Sequence, residues 1–226
     1  FVNRANSKLS EVLAEEDWDL ITLQQGSHDS GMISTYKTDQ INYIIDLAVR
    51  TTKNPKIKFA WHMTWAYHQK TSHSAFPKYN SDQMTMYDAI CGCVRQNILP
   101  NDYISFVIPA GTAIQNARTS YIGDGLNEAD GYHLNNLGDY IIGLTWILQY
   151  TGWDIDDLNM DLVPSQFVRD IEAIKEAAVN AVEKPFEVTQ SNFLEKPELN
   201  IDLSKYELFQ SRNPHIFLLP NFQKIV

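Results

Sequence analysis

Short apolar runs alternate with longer stretches of helical period along the chain. Trp18–Gln25 carries Leu20, Ile21 and Leu23 ahead of a polar end and predicts a strand. Ile57–Thr64 predicts a second, and Tyr103–Pro109 a third. Each is a compact apolar run that stops in polar or turn residues, the pattern of strands buried on both faces of a parallel sheet. Between them, Lys8–Glu16 reads as a short amphipathic helix. In Thr38–Arg50, Ile41, Ile44, Ile45 and Ala48 repeat at i, i+3, i+4, i+7. A helix is expected over Asp82–Ile98, capped by Ser81 and stopped before Pro100. Leu137, Ile141, Leu144 and Leu148 mark another, closed by Gly152. Ser165–Val182 is the last. Strands alternating with helices predict an α/β fold, a parallel sheet with helices on both faces. Function in such folds collects at the carboxyl ends of the strands.

Composition narrows the function classes. The 226 residues carry 28 acids against 18 bases, a formal net charge of −10. That excludes the basic face a nucleic-acid binder needs and disfavours docking on anionic lipid. No apolar run reaches the roughly 20 residues of a membrane helix, so no membrane insertion is expected. Cys91 and Cys93 read as two buried thiols on a helix, with a strained bridge as the alternative; they build no zinc framework. His62, His68 and His73 lack a paired acidic ligand, so no metal site is expected. Without a glycine-rich phosphate loop, no cofactor is expected either.

Three segments hold candidate chemistry. Asp130 and His133, three apart before a helix, can face one another across one turn. The carboxylate would fix the imidazole tautomer and leave the other ring nitrogen free to take a proton. A surface turn with Asp130-Gly131 at its corner is the alternative. Gln24-Gln25-Gly26 follows a strand, where an amide NH₂ beside a glycine N–H can hold an oxyanion; a polar strand end closed by a glycine turn fits as well. Ser27 and His28 are adjacent and are not a dyad. The third segment, Trp61–Tyr67, puts aromatics at a strand end, as a sugar pocket or as core.

Together LQQGSHDSG, HMTWAY, PAGTAIQNARTS and GDGLNEADGYHLNNLGDYIIGLTW resemble an uncharacterised bacterial branch of the SGNH, or GDSL-like, hydrolase superfamily. The likeness runs from about Asp17 to about Thr189. It implies a three-layer α/β/α, flavodoxin-like sandwich and ester hydrolysis by a serine nucleophile. By that resemblance His133 matches the base and Asp130 its partner. Gln25 and Gly26 match the oxyanion donors, with Gln24 the alternative amide. His62, Trp65 and Tyr67 would contact substrate. The family's Gly-Asp-Ser-Leu or Gly-Asn-Ser-Phe nucleophile motif is not in this sequence. The resemblance therefore places the serine, and the strand before it, outside residues 1–226.

Residues 1–190 are expected to form that hydrolase-like domain and 191–226 an extended tail or the start of a further segment. The expected function is hydrolysis of a small acyl ester, with a carbohydrate O-acetyl group as one candidate, so the expected partner is a small ester or glycan. The alternative is a non-catalytic carbohydrate-binding protein on a degenerate hydrolase scaffold, served by Trp61, Trp65 and Tyr67. Relatives of this kind are often exported; the residues themselves fix no compartment.

Overall fold

The computed structural model describes residues 7–159 and 163–198. Three parallel strands form the sheet in the order β1-β2-β3: β1 (Leu20–Leu23), β2 (Lys58–His62) and β3 (Ile104–Ile108). Leu20 lies opposite Lys58 and Leu23 opposite Trp61. Phe59 lies opposite Ile104 and Trp61 opposite Val107, with a register irregularity between Phe59 and Ala60. Six helices accompany the strands: α1 (Leu9–Leu13), α2 (Thr38–Thr51), α3 (Gln83–Asn97), α4 (Ala110–Arg118), α5 (Asn136–Thr151) and α6 (Ile171–Glu183).

Alternation along the strands sorts the core into two faces. Ile21, Leu23, Phe59 and Trp61 point toward α2 and α3, meeting Ile45, Ala48, Met86 and Ile90. Leu20, Ala60, Phe106 and Ile108 point the other way, against Trp146 and Tyr150 of α5. Helices α4 and α6 then pack with α5 around Ile114, Ile141 and Ile174. The result is a three-layer α/β fold with a parallel sheet. Burying a side chain such as Ile45 or Met86, each 0% exposed, contributes about 1.5–3 kcal/mol.

Local chemistry sets several boundaries differently from the sequence expectation. The cap of α3 is Asp82, whose carboxylate accepts the Thr85 N–H at 2.7 Å; Asn80 and Ser81 before it take left-handed φ of 57° and 52°. Asn135 caps α5 through the N–H groups of Leu137 and Gly138, both at 3.1 Å. The expected helix from Ser165 divides into a 3₁₀ turn at Ser165–Phe167 and α6. Helix α4 was not expected at all. Cys91 and Cys93 are free and buried on α3, and burial pushes the Cys91 thiol up to about 11, which makes it an unreactive packing group.

Beyond α6 the described residues, up to 198, run without regular structure. Ser191 and Asn192 hydrogen-bond to Glu176, and Phe193 O accepts the Tyr121 N–H at 2.9 Å. The start of the expected tail is thus fastened to the domain, while residues 199–226 lie outside the described residues. No helix among the described residues is long and apolar enough to cross a membrane.

Candidate active site

Asp130 and His133 sit in a tight turn whose arms pair at Asn127 and Leu134. The Glu128 N–H donates to His133 O and the Gly131 N–H to Glu128 O, both at 2.9 Å. Gly131 turns the corner at φ +76°, and a Cβ there would stand 2.8 Å from the Thr71 side chain. Only glycine meets both demands. The turn brings the N–H groups of Tyr132 and His133 onto Asp130 Oδ1, at 2.9 and 3.0 Å. Asp130 Oδ2 then lies 2.7 Å from His133 Nδ1.

The Tyr132 N–H, followed by the His133 ring, holds the Asp130 carboxyl down to about 2. It is ionised at neutral pH and accepts only. Nδ1 of a neutral His133 must therefore carry the ring proton, leaving the Nε2 lone pair available. The His133 side chain is 66% exposed, and no described residue hydrogen-bonds to Nε2.

The segment after β2 clamps this turn. Three consecutive carbonyls each receive one donor from it. Thr71 Oγ1 donates to Asp130 O at 3.1 Å, His68 N–H to Gly131 O at 2.8 Å, and Trp65 Nε1–H to Tyr132 O at 2.9 Å. A second layer lies below, centred on Asp124. Its Oδ1 accepts from Gln83 Nε2 at 2.9 Å and stands 2.8 Å from Arg118 Nε, an ion pair off the line of the N–H. Its Oδ2 accepts from the Gln69 N–H at 2.8 Å and lies 3.5 Å from His68 Nε2. The Arg118 side chain is only 4% exposed. Burial lowers its pKa to about 10, with Asp124 opposing, so the guanidinium stays charged. Asp124 thereby joins the start of α3, the end of α4 and the post-β2 segment.

The other expected site residues are placed differently. Gln25 does not present its amide to the His133 turn. Its Nε2 donates to Thr35 O at 3.1 Å and to Thr35 Oγ1 at 3.0 Å, and its Oε1 takes the Gly26 N–H at 2.9 Å. The donors expected for an oxyanion are engaged within their own loop, because a strand-end amide next to a 3₁₀ turn finds backbone partners first. Gln24 is exposed.

His62 is interior rather than at a substrate surface: Trp146 Nε1 donates to its Nδ1 at 2.9 Å, and burial lowers its pKa to about 4. Tyr67 is fully buried, its hydroxyl 3.1 Å from Ser27 Oγ. Trp61 is likewise core, so of the three aromatics only Trp65 is partly exposed. No described serine hydroxyl hydrogen-bonds to His133. A cavity of about 470 Å³, lined by Val49, Lys53, Ile57, Phe59 and Tyr103, opens at the amino ends of the strands, away from this turn.

Two residues that the sequence did not connect with the pair lie beside it: Tyr132, and His73, which was weighed only as a metal ligand. The Tyr132 ring centroid lies 4.2 Å from that of His133 with the planes tilted by 42°, and His73 meets Tyr132 edge-on at 4.8 Å. No spacing signal marks His73, because the chain returns to it only through the fold.

The fold and this turn define an α/β protein with an Asp–His pair at a loop rim of a parallel sheet. The model of the domain of unknown function DUF4886 matches residues 2–181, and the chain belongs to that family. No curated protein matches it. It is similar to the crystal structure of a DUF4886 family protein from Bacteroides uniformis, with 36% sequence identity and a TM-score of 0.70. The match covers 83% of this chain and 71% of that one.

Proposed function

We propose that this chain carries the base half of a serine ester hydrolase of SGNH type. The carrying observation is the 2.7 Å contact from His133 Nδ1 to an ionised Asp130, with the ring exposed and Nε2 without a hydrogen-bond partner among the described residues. In this reading, His133 Nε2 takes the proton of a serine hydroxyl supplied from outside residues 1–226. The serine oxygen attacks the ester carbonyl and the C–O bond to the alcohol breaks. The proton passes from His133 to the departing alkoxide. Water, deprotonated by the same nitrogen, then releases the acid and restores the serine. Asp130 stabilises the imidazolium formed twice in this cycle. An acyl ester, with an O-acetylated carbohydrate as the candidate class, is the substrate.

The experiment compares residues 1–226 with the same chain extended by the residues encoded upstream. Both are assayed with p-nitrophenyl acetate and labelled with a fluorophosphonate. The extended chain is expected to turn over and label, and His133→Ala to abolish both. The 1–226 chain should do neither. Turnover in the extended chain that survives His133→Ala would contradict the proposal, and labelling of Ser27 in the short chain would relocate the nucleophile.

A further inference from the structure

Three aromatic rings in contact each present one polar atom that nothing in the described residues satisfies. His133 offers the Nε2 lone pair. The Tyr132 hydroxyl has no hydrogen-bond partner, although its ring touches His133 at 4.2 Å and Tyr67 at 5.9 Å. His73 accepts the Ala75 N–H on Nδ1 at 3.1 Å. The proton of its neutral ring therefore resides on Nε2, which has no acceptor. The His73 ring is half-buried and held from both sides, 4.8 Å from Tyr67 and 4.8 Å from Tyr132. Thr71 Oγ1 fixes its backbone by accepting the His73 N–H at 3.2 Å, the same hydroxyl that donates to Asp130 O. Two ring-borne donors on partly exposed rings thus lie beside His133.

The geometry points to a binding subsite for a polyhydroxylated alcohol, a sugar ring, formed by His73 and Tyr132 next to His133. This deepens the esterase reading and rests on it for the side of the ester that is bound. The atom protonated by His133 Nε2 is the leaving oxygen, so the alcohol part lies beside the Tyr132 ring next to His133 and the His73 ring behind it. A sugar presents C–H faces to aromatic rings and oxygens to N–H and O–H donors. His73 Nε2–H and Tyr132 O–H donate to sugar oxygens, while the acyl group lies on the other side of His133.

The probe is a methyl hexopyranoside carrying one O-acetyl group, with methyl acetate as the acyl-only control. Each is titrated into the 1–226 chain and into the upstream-extended chain, followed by imidazole ¹H–¹⁵N spectra. The hexoside is expected to shift the His73 and His133 signals saturably, and methyl acetate to leave His73 unmoved. His73→Phe keeps a ring in the stack and removes the donor; Tyr132→Phe removes only the hydroxyl. Each is expected to weaken hexoside binding roughly threefold to tenfold. Absence of a hexoside shift at His73 in both chains, an affinity unchanged in both variants, or an equal His73 shift with methyl acetate overturns the subsite. The titration does not depend on turnover. Hexoside binding through His73 without hydrolysis by the extended chain contradicts the esterase reading alone, and hydrolysis without a His73 shift contradicts the subsite alone.

Discussion

Two histidines at loop-bearing ends of this fold have opposite fates. His62 closes β2 and is 6% exposed, with the Trp146 indole on its Nδ1. His133 stands on a turn with a carboxylate on its Nδ1 and no hydrogen-bond partner on Nε2 among the described residues. The first is an acceptor in a packed core, kept neutral by burial down to about pH 4. The second keeps an accessible lone pair beside an ionised partner. Residue type and position at a strand end do not separate them. What separates them is whether one ring nitrogen is both accessible and unpartnered. Gln25 teaches the same lesson, since its amide is engaged by Thr35 despite standing where an oxyanion donor was expected.

The largest expected effect tests how tightly the β2 end is built. A Cβ on Gly111 would lie 2.1 Å from Thr64 O. That atom is backbone and cannot rotate away. Gly111→Ala is therefore expected to cost about 3 kcal/mol or more, read by denaturant midpoint; a midpoint within error of the parent would show that α4 shifts freely and that the β2 end is not rigid.

The pH dependence of stability sharpens the His62 side. Unfolded, His62 titrates near 6.5; folded, it stays neutral to about 4. Between these values the unfolded chain binds more protons, so stability falls as pH drops through the window. The loss attributable to His62 approaches roughly 3 kcal/mol at its lower end. His62→Gln keeps an acceptor for Trp146 and should flatten the slope. An unchanged slope between pH 6.5 and 4 would place His62 outside the core account.

Arg118→Met tests the strut beneath the His133 turn. It leaves Asp124, which is 26% exposed, without its cation. Solvent access reduces the penalty below that of a fully buried pair, to about 2 kcal/mol. The His133 ring signals should broaden or shift as the turn loosens, and an unperturbed His133 spectrum would show that Asp124 does not position it. The smallest effect belongs to His133→Ala, expected to change stability by under about 0.5 kcal/mol, since the side chain is largely exposed. A thermal melt checks this, and a large drop would mean that the ring is a structural element.

The centres of all three strands, of α2 and of α5 were legible because their apolar patterns match their burial, and α3 because turn residues before it and Pro100 after it bound it. Helix α4 was not. Every residue from Ala110 to Ala117 is buried, so it has no polar face to give a period. Its polar side chains are satisfied internally, Thr112 by Pro185 O at 2.6 Å and Asn116 by Ala177 O at 3.2 Å. The α3 cap was displaced by one residue because the left-handed pair Asn80–Ser81 leaves no mark in composition.

Within the site, Asp130 and His133 were legible because their link is local, three residues along one turn. The clamp from Trp65, His68 and Thr71, the Arg118–Asp124 pair and the approach of His73 to Tyr132 were not. Those contacts join separate segments, and single-sequence spacing carries no signal of them. Burial then reassigned His62 and Tyr67, whose residue types alone suit a surface pocket equally well.

Asp130 holds His133 with its proton on Nδ1 and its lone pair on Nε2. Imidazole ¹H–¹⁵N spectra of the 1–226 chain, recorded in alkaline solution, read this directly. The account predicts the Nδ1–H tautomer for His133, lost in Asp130→Asn, where the amide can donate to Nδ1 instead. An Nε2–H tautomer in the parent chain, unchanged by Asp130→Asn, would contradict it.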